Sequence, residues 1–158
     1  MSRIASEKSA MIDIGPFAAL VPADHGLAVI GIALPDKSVH ASVGNVGVLA
    51  HPLTGAAIIG LVAAGGARKV PLLRAHPRAT ATLRAGWEWA AVEGAIELVG
   101  PDDPLPGIDA DRLRLLLREI FTAAGGTHDD WDTYDRVMAA ERRTAVLINP
   151  SRLYTARR

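Results

Sequence analysis

The chain has 158 residues, 49% of them hydrophobic, and its 17 basic residues balance its 17 acidic ones. This composition excludes a disordered polypeptide, and the balanced charge gives no net field that would favour nucleic acid or an anionic membrane. Because there is no cysteine, the sequence excludes disulfides, thiolate metal ligands and cysteine nucleophiles. We find no signal peptide, and the longest apolar run, 56–64, is about half of the ~20 residues that a membrane helix needs. We therefore expect one cytoplasmic domain spanning 1–158.

The first half of the chain predicts three strands and one short helix. Residues 1–25 have weak periodicity, and we expect a short helix between two turns there. Apolar runs bounded by turn residues then predict strands over 27–34, 39–48 and 57–63, the first two forming a hairpin. After two glycines a short helix is predicted over 68–75, where Pro71 is tolerated because it falls in the first turn.

The second half predicts two further strands, two helices and a last strand. Strands are expected around 80–83 and over 87–99. A stripe of apolar residues with helical spacing follows, formed by Leu113, Leu116, Leu117, Ile120, Phe121 and Ala124. A second helix is predicted over 130–142 and a sixth strand over 145–148, with Pro150 interrupting it. Short strands joined by hairpin turns favour an antiparallel barrel over a parallel sheet, and no Gly-x-Gly-x-x-Gly follows the first strand.

The junction after the third strand is the best candidate for a binding site. The segment Gly65-Gly66-Ala67-Arg68-Lys69 ends a strand and begins a helix, so its backbone N–H groups can form a concavity that binds an anion. Arg68 can hold a phosphate with two hydrogen bonds, and Lys69 adds a point charge. A plain turn with solvated basic residues is the alternative interpretation.

The same junction carries a family resemblance. Residues 66–70, followed by Leu73-Arg74-x-His76-Pro77-Arg78-Ala79, resemble the phosphate-binding motif of the pyridoxamine-phosphate-oxidase-like split barrels, and 92–99 is similar to their fifth strand. Segments 127–131 and 142–154 are similar to the deazaflavin (coenzyme F420) branch. Two positions depart from the pattern: Ala67 stands where a Ser or Thr is usual, and Gly44 removes bulk beside the expected ring site.

The resemblance implies a fold, a cofactor and a set of site residues. The fold is a six-stranded antiparallel split β-barrel with flanking helices (α+β, mainly β), acting as a homodimer with the site between subunits. The cofactor is F420, with FMN as the alternative, and the reaction is hydride transfer to a small unsaturated or quinone-like substrate. A non-catalytic barrel that binds a cofactor or another ligand is the third possibility. The implied cofactor-binding residues are Ser42, Val43, Gly44, Gly66, Ala67, Arg68, Lys69 and Leu73.

No acid, base or nucleophile stands out as catalytic, and hydride transfer from a bound cofactor requires none. The five histidines show no metal-ligand spacing, so we expect no metal. Trp87 and Trp89 face one side of a strand, where packing in the core or in a dimer is favoured over a place in the pocket wall. Arg74 and Arg78 are candidates for binding the acidic tail of a deazaflavin, and Arg142 and Arg143 are expected to be solvated.

Overall fold

The computed structural model describes residues 12–156, so the part of the N-terminal segment before Ile12 lies outside the described residues. Six strands close into one antiparallel barrel in the order β1-β2-β3-β6-β5-β4. They are β1 Leu27–Ala33, β2 Val39–Ala50, β3 Ala57–Ala63, β4 Arg78–Ala85, β5 Glu88–Val99 and β6 Thr144–Thr155. The helices are α1 Gly15–Ala18, α2 Lys69–Ala75, α3 Ala110–Ala123 and α4 Trp131–Ala140, with a 3-10 turn at Val21–Asp24. The predicted mainly β, α+β barrel is confirmed.

Alternation along the strands separates the barrel interior from its outer surface. On β1, Ile30 and Ile32 are buried while Leu27 and Val29 are exposed, because successive side chains point to opposite faces of a strand. α1 adds Phe17, which is fully buried, to this interior core.

A second apolar cluster lies outside the barrel, where α3 packs on β2, β3 and β6. From the predicted apolar stripe, α3 contributes Leu116, Leu117 and Ile120 to this cluster as buried side chains. Asp109 caps α3 by accepting a hydrogen bond from the Arg112 N–H. Two glycines allow α3 to approach closely. A Cβ added at Gly47 would lie 2.5 Å from the Ala123 Cβ, and one added at Gly60 would lie 2.8 Å from the Ile120 Cγ1.

The predicted interruption of the last strand at Pro150 is wrong, since β6 is continuous from Thr144 to Thr155. Gly94 pairs with Pro150, whereas the preceding residue, Glu93, pairs with Arg152, so the ladder contains a bulge at this point. A bulge leaves a residue without its ladder partner, and a proline is tolerated there although it cannot donate a hydrogen bond.

β2 changes partners along its length, and this change positions the site. Residues 39–45 pair with β1, and pairing with β3 begins only at Val46. Within residues 12–156, the other edge of 39–45 is therefore not paired with a strand. None of the helices in the described part of the chain has the length and apolar character needed to span a bilayer.

Candidate functional site

A cleft of about 620 Å³ opens where β2 separates from β3. One side is the open edge of β2 at 43–45, and another is the end of β3 at 61–64 with the loop that follows it. The end of α3 and one face of α4 form the remaining wall, which includes Phe121, Tyr134 and Met138. The lining is mainly apolar and, among residues 12–156, contains no Asp or Glu.

Lys69, the first residue of α2, is the most informative side chain of the cleft. It is half-buried, and burial alone lowers the pKa of its ammonium group, with no contribution from a carboxylate. A Cβ added at Gly44 would lie 3.7 Å from the Lys69 Nζ and 2.7 Å from the Leu61 Cδ1. Gly44 therefore allows the side chains of Leu61 and Lys69 to lie close to the β2 backbone. A partly desolvated cation without a counter-ion among the described residues favours binding of an anion.

Arg143 is a second cation in the cleft and is a residue that the sequence interpretation had treated as solvated. Its Nε donates to Glu141 Oε2 at 2.7 Å, while its two terminal nitrogens have no protein acceptor among the described residues. Arg143 comes from the turn between α4 and β6, so only the folding of the chain brings it to the cleft that Lys69 also lines.

A close backbone contact joins the segments that carry the two cations. The Gly65 N–H donates to the Glu141 carbonyl at 3.1 Å. A Cβ on Gly65 would lie 2.8 Å from the carbonyl oxygen of Arg142, whose φ of 50° is left-handed. Only glycine fits at this contact, so the loop before Lys69 and the turn before Arg143 lie directly against each other.

His25 also lines the cleft, at a turn that the sequence interpretation did not consider for the site. Its φ of 50° is left-handed, and its carbonyl accepts a hydrogen bond from the Asn45 side chain at 2.9 Å. The next residue must be glycine, since a Cβ on Gly26 would lie 1.9 Å from the Val46 carbonyl oxygen. The turn is thus fixed to β2 beside the cleft.

The structure brings together only part of the predicted site. Val43, Gly44, Ala67 and Lys69 line the cleft. Ser42 lies next to Val43 on β2, and its Oγ is buried with no hydrogen-bond partner within the described part of the chain. The other three lie outside the cleft lining: Gly66 and Arg68 are exposed, and Leu73 is fully buried in the barrel core.

Three other residues considered from the sequence, Arg74, Trp87 and Trp89, do not line the cleft. Arg74 makes two hydrogen bonds of 2.7 Å with Asp103, which satisfies its guanidinium group outside the cleft. Trp87 is 85% exposed and Trp89 is 39% exposed, so core packing is wrong for both. Neither tryptophan lines the cleft.

These features define the class of fold. A closed six-stranded antiparallel barrel with flanking helices is the architecture of the pyridoxamine 5'-phosphate oxidase-like split barrels, as the resemblance implied. No protein-family model matches the sequence.

Three solved structures illustrate the range of proteins with a similar fold. A conserved hypothetical protein of Mycobacterium tuberculosis is 18% identical, with a TM-score of 0.61 over 92% of this chain and 84% of that one. An F420 reductase is 11% identical, with a TM-score of 0.56 over 86% and 94%. A pyridoxamine 5'-phosphate oxidase-related, FMN-binding protein of Nostoc punctiforme is 12% identical, with a TM-score of 0.60 over 92% and 85%. At these identities the likeness establishes the fold.

Proposed function

We propose that the protein is an F420-dependent oxidoreductase that reduces a small unsaturated or quinone-like substrate. The observation that carries the proposal is the half-buried Lys69, which lines an apolar cleft to which the described part of the chain contributes no carboxylate. Such a cleft suits a ligand with a flat apolar ring system and an attached phosphate. The absence of cysteine agrees with work in the reducing cytoplasm.

The residues present fit this cofactor in three respects. Lys69 offers a charge to the phosphate, Gly44 lets that side chain lie close to the β2 backbone, and Ser42, also on β2, has a buried Oγ without a partner among residues 12–156. The bound deazaflavin supplies the hydride, so the protein has to bind, orient and exclude water. Phe121 and Met138 provide an apolar wall for that purpose.

FMN is the second candidate, because one of the structures with the same fold is an FMN-binding protein. Arg143 favours the deazaflavin. FMN carries its negative charge on one phosphate, whereas F420 adds a polyglutamate tail with further carboxylates. Lys69 and the terminal nitrogens of Arg143 come from different segments, and no Asp or Glu of residues 12–156 lines the cleft. This arrangement suits the ligand that has two separate anionic groups.

We also propose that the protein works as a homodimer with the cleft at the subunit interface. One row of residues runs across the outside of five paired strands, and we call it the outer row: Val43, Val29, Thr82, Ala91 and Tyr154. Val43 and Val29 are 58% and 50% exposed, which leaves an apolar surface suited to a partner. Val43 also lines the cleft, so a subunit seated on the outer row would border the ligand.

The test is titration of the purified protein with F420, followed by fluorescence anisotropy, and with FMN, followed by absorbance. We expect Lys69→Ala to weaken binding of the preferred cofactor about 10- to 100-fold, as expected for the loss of a hydrogen bond to a charged group. The loss should be largest at low salt. Arg74→Ala is the matched control, because its guanidinium group is occupied by Asp103.

Equal losses in the two variants would contradict the assignment of Lys69. Binding of FMN alone would replace the deazaflavin proposal with the flavin one. If neither cofactor binds, the third interpretation, a barrel that binds another ligand, takes its place.

A further inference from the structure

A second cavity, of about 420 Å³, lies between α3, α4 and the loop 100–109. Its lining is largely apolar and includes Ile108, Leu113, Leu117 and Met138. The loop over it is held by backbone hydrogen bonds in both directions between Gly100 and Asp103. The cavity is therefore formed before any ligand binds, as is usual for small-molecule sites.

The charged groups around this cavity form hydrogen bonds, and Arg143 keeps unused donors. Asp135 accepts hydrogen bonds from Arg118 and Arg114, and these bonds lower the pKa of its carboxyl group. Asp109 accepts from the Arg112 N–H at the start of α3. Arg143 forms an ion pair with Glu141 through its Nε, while its two terminal nitrogens have no acceptor in the described part of the chain.

Met138 and Arg143 line both this cavity and the cleft, so they form the partition between the two. Methionine adapts its shape easily, because its side chain is unbranched and polarizable. The partition thus combines a deformable apolar group with a guanidinium whose Nε is bound by Glu141 and whose terminal nitrogens have no acceptor among residues 12–156.

We propose that the α3–α4 cavity is a second binding site, for a small apolar molecule that carries one anionic group. The apolar part lies among Ile108, Leu113 and Leu117, and the anion binds Arg143. Medium-chain carboxylates have this chemistry. The site is formed by α3, α4, the loop between β5 and α3, and the turn before β6 that carries Arg143. The proposal does not require a bound cofactor, although Arg143 is shared with the cleft.

The first experiment uses octanoate as the probe and the ¹³C methyl resonance of Met138 as the readout, assigned with Met138→Leu. Octanoate should shift this resonance with saturation at about 1 mM or below, as expected for a ligand of about ten heavy atoms. Absence of a saturable shift up to 5 mM, roughly five times that concentration, would overturn the proposal.

Two neighbouring exposed alanines of α4 give a matched pair of variants. Ala139 lines the cavity and Ala140 does not. We expect Ala139→Phe to weaken octanoate binding at least about 10-fold by filling the mouth, and Ala140→Phe to leave it unchanged. Both changes lie on the protein surface, so circular dichroism should show the same fold for both. Equal effects would place the octanoate elsewhere and contradict the proposal.

A third comparison isolates the anion. Arg143→Gln should weaken octanoate about 5- to 10-fold and leave the binding of octan-1-ol unchanged. Arg136→Gln, on the exposed side of α4, is the control for the change in net charge. Equal weakening of the acid and the alcohol would remove Arg143 from the site. Weakening by Lys69→Ala but not by Ala139→Phe would move the octanoate to the cleft and overturn the proposal.

Discussion

Lys69 shows at the scale of a single residue how a binding group opposes folding. The side chain is half-buried and no carboxylate compensates for the lost hydration, so its charged form is less favourable in the folded state than in the unfolded chain. Residues kept for binding often reduce stability in this way. The desolvated ammonium group lowers the free energy of unfolding. This loss of stability is reversed when an anion binds or when the charge itself is removed.

We expect Lys69→Met to raise the melting temperature of the ligand-free protein at neutral pH and to weaken cofactor binding. The pKa of Lys69 is lowered from 10.5 on folding, so the destabilisation is fully present below the folded pKa. It fades as the pH rises through the ordinary value. The melting temperatures of the two proteins, measured by calorimetry, should therefore converge at alkaline pH.

Arg68→Met is the control for this prediction, since Arg68 is the exposed neighbour and should change the melting temperature little. A lower melting temperature for Lys69→Met at neutral pH would mean that the ammonium group has a stabilising partner, and it would contradict the assignment of an unpaired cation.

At the scale of elements, the contact between α3 and the barrel determines the width of the cleft. The end of α3 forms part of the cleft wall and rests on Gly47, where a Cβ would lie 2.7 Å and 2.8 Å from the backbone atoms Ala123 C and Ala124 N. Backbone atoms cannot rotate away as a side chain can. The distance between α3 and β2 is therefore one that only glycine at position 47 allows.

Gly47→Ala should destabilise the protein by about 1–3 kcal/mol through overpacking. That loss corresponds to a fall in melting temperature of roughly 2–10 °C for a chain of this size. Gly66→Ala is the matched control, because no atom lies within 4 Å of the Cβ it would add and its φ is not left-handed. Equal melting temperatures for the two variants would contradict the close packing of α3.

The sequence predicted these elements well where the signal is local. The bounds of β3, the β1–β2 hairpin and the apolar stripe of α3 follow from periods of two and 3.6 residues. The bulge that accommodates Pro150 depends on how β5 and β6 pair, and no local pattern reports that.

The site was predicted less completely, for the same reason. Lys69, Gly44, Val43 and Ala67 belong to a motif that is readable along the chain, and they line the cleft. Arg143 and His25 come from turns far from that motif, and only the folded chain brings them there. A basic pair after a helix is usually solvated, so the sequence offered no signal that distinguishes Arg143.

At the scale of the whole molecule, the long helix α3 covers β2, β3 and β6, while much of the outer row is exposed. Val43, Val29 and Tyr154 of this row are 58%, 50% and 47% exposed. An apolar sheet face of this kind in water favours association, and the outer row meets the cleft at Val43.

Val29→Glu should therefore convert the proposed dimer to a monomer, because it places a charge at an exposed apolar position of the outer row. Val137→Glu, a similarly exposed valine at 42% on α4, should leave the dimer intact. Sedimentation velocity measures both. A wild-type protein that sediments as a monomer, or two variants with the same behaviour, would contradict a dimer through this face.

The contact between Gly65 and Arg142 has a consequence for selectivity. Because the two backbones touch, the segments that carry Lys69 and Arg143 are fixed to each other before a ligand arrives. We therefore expect the spacing of a ligand's negative groups, as well as its total charge, to affect its binding.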